Sequence, residues 1–474
     1  MKEAVLKHFE ELSGIPRPSG HEERAAAFIH GWAESHGFAV RTDEYKNVIA
    51  EIPAIPGYEN APRTILQAHM DMVCVAEPGR KFDPLTDTPT LVYENADGRE
   101  ILTADGTSLG GDDGLGIATM MAVAENPEIV HGPLRLIATA NEENGMSGAE
   151  HLTAADLDAR YLINLDSEEF GELTNSSAGS QNLTFRRKAE WVDAPWLYGY
   201  TIRFSGFRGG HSGCDIHKNR CNVLKLMGET LMNVPHALHT LKGGTARNAI
   251  PDEVCVKLVT DEPELLWDAM HDTAERLSQF DEPNTCSISM TPAAGLTRTL
   301  TPQASVDTMR LLAGIPCGVL KMSDSFEGLV ETSCSIGIAE LNAEEITVTA
   351  MARSSATDGL PRTEEKAHIR ALAHNFRLEA GSRGAIWPVM KDDPLVRLFR
   401  DAYREVTGGE LRVAPIHAGL ETATYAMKNP ELSLVAVGAT VHSVHSIREY
   451  VELNTVEPFG QVLARVLEKI ASEQ

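Results

Sequence analysis

The chain has 474 residues, with 42 Lys or Arg against 68 Asp or Glu, giving a formal net charge of −26. A field of that sign repels phosphate backbones and anionic lipid, which excludes nucleic acid and membrane surfaces as partners but not metal cations. Seven cysteines without a Cys-x-x-Cys pair exclude a disulfide framework and a thiolate zinc site.

At roughly 150 residues per domain, the length suits two or three domains that bury their own cores. Met1–Leu12 carries charges through its apolar pattern and reads as a helix, not a signal sequence. No uncharged apolar run approaches the ~18 residues of a spanning helix, so a cytoplasmic soluble protein is expected. Pro16 and Pro18 end that first helix. Ser19-Gly-His-Glu22 has the spacing of a capping box, opening a helix with Phe28, Ile29 and Trp32 on one stripe and Gly37 at its stop. Short apolar runs predict strands over Asn47–Ile52, Thr64–Gln67, Leu134–Ala138 and Tyr161–Leu165, with a buried helix over Gly114–Ala124. Near-continuous apolar strands alternating with helices indicate a sheet covered on both faces.

Beyond Gly179 the strands alternate instead, at Thr201–Phe204, Val254–Val259 and Ile346–Thr349. Helices are predicted among them at Cys221–Met232, Pro263–Leu277 and Val306–Leu312. After Trp387-Pro388 the first texture returns, with helices Pro394–Val406 and Val456–Ile470 around a buried strand, Leu434–Val437. The expected architecture is an α/β domain with a mixed, mainly parallel sheet, residues 1–186 and 390–474, interrupted by an α+β insert, residues 187–389.

Chemistry-bearing residues gather at strand ends. Thr64-Ile-Leu-Gln-Ala-His-Met-Asp71 places His69 and Asp71 on one face, where a carboxylate can orient a metal-bound imidazole. Leu109-Gly-Gly-Asp-Asp-Gly-Leu-Gly116 sets two acids in a glycine turn before the buried helix. One of them suffices as a cap. Glu142 and Glu143 follow the strand Leu134–Ala138; such a pair suits one metal ligand beside one base. Asp166 ends the next strand, and His442 and His445 follow the last. Each cluster has an ordinary reading as a solvated turn. Together, at the carboxyl ends of strands in an α/β sheet, they suit a zinc-type hydrolytic site with two ions.

The motifs Ile15-Pro-Arg-Pro-Ser-Gly20, Gln67-Ala-His-Met-Asp-Met-Val73, Leu109–Gly116, Glu142-Glu143, Asn164-Leu-Asp-Ser-Glu-Glu169, Gly209-Gly-His-Ser-Gly213, Asn248-Ala-Ile-Pro251 and His417-Ala-Gly-Leu-Glu421 closely resemble the aminoacyl-histidine dipeptidase family of di-zinc exopeptidases. The resemblance runs almost the whole chain. It implies hydrolysis of unblocked dipeptides, Xaa-His among them, with two divalent ions, zinc first and manganese or cobalt as substitutes. It implies that Asp112 bridges the ions, with His69 and Asp166 on one and Glu143 and His445 on the other. Asp71 is then the acid that orients His69, Glu142 the general base, and His211 the group that reaches the scissile carbonyl oxygen. Asn248 and Arg353 match positions that hold substrate, the insert acts as a lid, and a cis peptide is implied at Asp112–Asp113. Relatives dimerise through the lid, so a homodimer is implied, although an insert of this size could complete the site alone. The family has Asp-Asn where this chain has Asp112-Asp113, and His-Ser-Pro-Asp-Glu where this chain has His445-Ser-Ile-Arg-Glu449. Rival readings are a sister aminotripeptidase, carboxypeptidase or deacylase, and a catalytically silent relative that binds a ligand. No ligand or base position is lost, which weighs against the silent relative.

Overall fold

A computed structural model describes residues 1–96, 98–324, 326, 328–390 and 392–473. The chain forms two compact units, one of Met1–Ser177, Trp387–Pro415 and Leu420–Gln474, the other of Ala178–Ile386 and Ile416–Gly419.

The first unit is built on a six-stranded sheet in the order Ala39–Thr42, Val48–Ile52, Leu134–Thr139, Thr64–His69, Tyr161–Asn164, Ser433–Ala436. The last four of these run parallel, while the first two join as antiparallel neighbours at one edge. This is the mixed, mainly parallel α/β sheet that the sequence predicts. The strands Thr64–His69 and Tyr161–Asn164 are buried at every position, as strands covered by helices on both faces must be. Helices Lys2–Ser13, Gly111–Glu125, Pro394–Thr407 and Leu453–Ala471 contribute Phe9, Leu12, Ile117, Met121, Phe399, Leu463 and Val466 to one continuous core. A second, four-stranded sheet pairs Tyr450–Glu452 with Arg99–Ala104 and with Val441–His442.

The second unit carries a nine-stranded sheet in which every pair is antiparallel. Its strand Gly179–Lys188 alternates buried and half-buried positions to Arg186, the period-two pattern of a sheet with one covered face. The expected boundary at residue 186 falls inside this strand, which belongs whole to the second sheet. Helices Val223–Leu231 and Pro302–Gly314 close its core with Leu224, Met227, Met309 and Leu312.

One local expectation fails. The second helix begins at Glu23, and Ser19 does not cap it. The Glu22 carboxylate is buried, accepts from the Gly20 N–H and pairs with Lys46 at 3.0 Å, while the Ser19 hydroxyl is drawn to Asp71. A tertiary carboxylate has outcompeted the local cap.

Candidate metal centre

Parallel strands deliver their C-terminal residues to one edge of the sheet, where open α/β folds place their sites. His69 is the last residue of its strand, Glu142 and Glu143 follow Leu134–Thr139, and Asp166 follows Tyr161–Asn164. Asp112 opens the helix Gly111–Glu125, where the backbone leaves helical geometry at Asp112 and Asp113 and the peptide between them is cis.

The two oxygens of Asp112 face different partners. Oδ1 lies 2.9 Å from His69 Nε2, and Oδ2 lies 3.2 Å from His445 Nε2. Asp166 Oδ1 is 3.7 Å from the same His69 nitrogen, and Glu143 Oε1 is 2.7 Å from His445 Nε2. Donor atoms of His69, Asp112 and Asp166 lie within 4.8 Å of one another, and so do those of Asp112, Glu143 and His445. Two triads that share one carboxylate are a donor set for two cations. Imidazole nitrogen and carboxylate oxygen without thiolate fit ions of the zinc, manganese and cobalt type. His442 is elsewhere, 2.9 Å from Glu452.

The neighbouring acids divide the remaining work. Asp71 is fully buried; its carboxylate accepts from the backbone N–H of Glu142 at 3.0 Å and of Glu143 at 3.2 Å, and lies 3.5 Å from His69 Nδ1. Burial alone would raise the Asp71 carboxyl, but the hydrogen bond and charge of His69 prevail and hold it down at about 2. Asp113 accepts from Gly116 N–H with Oδ1 and from His69 N–H with Oδ2. Of the two adjacent acids, then, Asp113 caps the helix and Asp112 faces the histidines.

Charge crowding shifts the proton affinities of these groups. Burial disfavours the His69 imidazolium, yet Asp166, Asp112 and Asp71 together hold it well above its ordinary value. Hydrogen bonds to Asp112 and Glu143 raise His445 to about 10. Glu142 is pushed up to about 8 by burial, with Glu421, Glu143 and Asp112 adding to it against the pull of His69. So many acids around two imidazoles are what bound cations would neutralise.

Sequence reasoning missed a layer of support. Glu421 is fully buried and accepts from Gln67 Nε2 at 2.7 Å and Thr139 Oγ1 at 2.9 Å, while Gln67 Oε1 accepts from Asn164 Nδ2 at 2.6 Å. Gln67 and Asn164 stand two residues before His69 and Asp166, so the network ties together the strands that carry two ligands. The i−2 spacing was visible in the sequence; the partner at Glu421 was not.

In the second unit, Arg353 lies beside His211, and Asn248 adjoins the segment that carries His211 through its backbone. His211 and Ala249 are paired across a short antiparallel bridge, and the Asn248 carbonyl accepts from Ser212 N–H. His211 Nδ1 accepts the backbone N–H of Cys214 at 3.0 Å, and its Nε2 lies 3.4 Å from Arg353 Nη2, a group that can only donate. Burial and then the Arg353 charge lower the His211 pKa. His417, absent from the sequence-based site, pairs with the Ser333 hydroxyl at 2.8 Å, its pKa lowered to about 4 by burial.

The shared-carboxylate donor set at the strand ends of an α/β sheet defines the metal-dependent hydrolase class. Residues 65–469 match the peptidase family M20/M25/M40, and the chain belongs to that family. It is 31% identical over 475 residues to the cytosol non-specific dipeptidase of Escherichia coli (strain K12), covering 98% of this chain and 97% of that one. The crystal structure of aminoacylhistidine dipeptidase from Vibrio alginolyticus superimposes with a TM-score of 0.88 at 32% identity, over 98% of this chain and 96% of that one. Human carnosine dipeptidase 1 shares the fold, with a TM-score of 0.53 at 13% identity over 99% of this chain and 96% of that one. Among the described residues no helix is long and apolar enough to cross a membrane.

Proposed function

We propose that this chain is a cytosolic metallo-dipeptidase that hydrolyses unblocked dipeptides, Xaa-His among them, with two zinc ions held by His69 and Asp166 on one side, Glu143 and His445 on the other, and Asp112 between. The observation that carries this reading is Asp112, whose two oxygens face His69 and His445 separately. Zinc held there supplies Lewis acidity and makes nearby water acidic enough to attack a peptide.

The protein's own groups do the rest. Glu142 takes the proton from the attacking water and returns it to the departing amine; it adjoins the ligand Glu143, and its backbone is held by Asp71. Asp71 holds the Glu142-Glu143 backbone and the far side of His69, so base and ligands keep one geometry. His211 supplies the donor for the developing oxyanion from Nε2, the ring nitrogen that faces Arg353. Arg353 and Asn248 bind the substrate's carboxylate end, and the second unit acts as the lid that limits peptide length. Manganese and cobalt suit the same donors.

Chelated protein, assayed before and after zinc is restored, tests this on a panel of a free Xaa-His dipeptide, its N-acetylated form, a non-His dipeptide and a tripeptide. Zinc-restored cleavage confined to the free dipeptides is expected. Cleavage of the blocked form or the tripeptide moves the chain to a sister specificity, and no cleavage with two ions bound makes it a binding relative.

A further inference from the structure

The loop Leu109-Gly-Gly-Asp112 is rich in glycine, and glycine gives backbone freedom, not a fixed position. A carboxylate shared by two ions needs a fixed position. Two buried side chains that belong to neither triad supply it.

Glu449 is 2% exposed, and its carboxylate accepts from four successive backbone N–H groups of that loop. Oε2 takes Leu109 at 2.9 Å and Gly110 at 3.1 Å, while Oε1 takes Gly111 at 2.7 Å and Asp112 at 3.3 Å. Arg17 is 1% exposed and holds the loop by a carbonyl, with Nη2 donating to Gly110 O at 2.6 Å. Its Nη1 donates to Met70 O at 3.0 Å and Asp71 O at 3.1 Å, directly after His69. The glycines make room for these charged groups. A Cβ on Gly110 or Gly114 would lie 2.5 Å from Arg17 Nη2, and one on Gly111 would lie 3.3 Å from Glu449 Oε1.

Glu449 stands four residues after His445, and Arg17 grips the end of the strand that carries His69. The pair therefore joins three segments: the one with His69, the one with Asp112 and the one with His445. We propose that Arg17 and Glu449 are positioning residues that set the separation of the two triads and so the affinity for the ion pair. Glu449 is the residue that the altered C-terminal segment, His445-Ser-Ile-Arg-Glu449, keeps in place. The proposal rests on the ligand assignment made above.

The geometry dictates the test. In Glu449→Gln one carboxylate oxygen becomes an NH2 group facing two N–H donors, so one half of the clamp is lost while volume is kept. In Arg17→Lys the charge stays, but a single ammonium replaces the planar fork that spans Gly110 and the Met70–Asp71 carbonyls. Zinc affinity of the metal-free proteins is read by competition with a chromophoric chelator, and the cobalt-loaded forms by their visible absorption. Asp112→Ala serves as the reference, and circular dichroism establishes that each metal-free variant is folded.

Both variants are expected to bind the ion pair about tenfold to a hundredfold more weakly. Their cobalt bands at saturation are expected to shift, and kcat to fall with KM little changed. A merely structural role would lower the unfolding midpoint and leave the affinity and the cobalt spectrum as in the parent; that result in both variants overturns the proposal. If Glu449→Gln does not fold, Arg17→Lys decides alone. Parental metal binding by Asp112→Ala would instead overturn the ligand assignment beneath it.

Discussion

Asp71→Asn is the substitution whose consequence follows most directly from the site. It preserves shape and removes one charge. In the parent, Asp71 Oδ1 accepts from Glu142 N–H and faces His69 Nδ1, while Oδ2 accepts from Glu143 N–H. An asparagine has one acceptor oxygen for these two sides. If it keeps Glu142 and His69, its NH2 meets the Glu143 N–H; if it flips, it meets the Glu142 N–H and the imidazole. A charge-assisted hydrogen bond contributes about 1.5–3 kcal/mol, and a buried donor left facing a donor costs a further 1–3, so about 3 kcal/mol is at stake. That corresponds to about two orders of magnitude in kcat/KM, expressed through a misplaced base and a loosened ligand. The assay is zinc-reconstituted hydrolysis of a free dipeptide, with metal content measured on the same sample. A kcat/KM within about threefold of the parent at full metal content would refute the view that Asp71 holds base and ligands together.

Glu142→Gln is expected to retain both ions while kcat falls by about 10²–10⁴-fold, which metal analysis beside steady-state kinetics checks. Asp112→Ala is expected to lose the ions themselves, measured by dialysis against buffered zinc; full loading would sink its bridging role. His236 gives a prediction away from the site. It is fully buried, with Nδ1 2.7 Å from the Val234 carbonyl, and burial lowers its pKa from 6.5 to about 4. Below pH 6.5 the unfolded chain takes up a proton that the folded chain refuses, so this residue contributes a loss of stability between pH 6.5 and 4, in total about 3 kcal/mol. Urea unfolding of the metal-free protein should show a shallower acid slope for His236→Gln than for the parent, and equal slopes would exclude the effect.

Much of the metal centre was legible because its ligands lie at strand ends. A hydrophobic run that stops at His69, or before Asp166, announces where the sheet edge will be, and parallel pairing brings those ends together. The change from continuous to alternating apolar strands near Gly179 likewise announced a second, antiparallel sheet. The capping box at Ser19–Glu22 misled, because local spacing does not show that Lys46 and Asp71 compete for those side chains. The two acids at 112 and 113 look alike in sequence. Only the kinked backbone sends one to the histidines and turns the other back on Gly116 and His69.

Residue order by itself determined the strands, the glycine turn, the side chains able to ligate cations and the chemical class they imply. Tertiary structure decided what holds those side chains still. Arg17 grips carbonyls 53 to 93 residues away, Glu449 reaches back 337 to 340 residues to the Asp112 loop, and Glu421 lies 354 residues from Gln67. Partners this far apart leave no local pattern along the chain, and where the receiving group is backbone, as for Arg17 and Glu449, it carries no side-chain signature either. They become visible only when folding removes the water that would otherwise satisfy them.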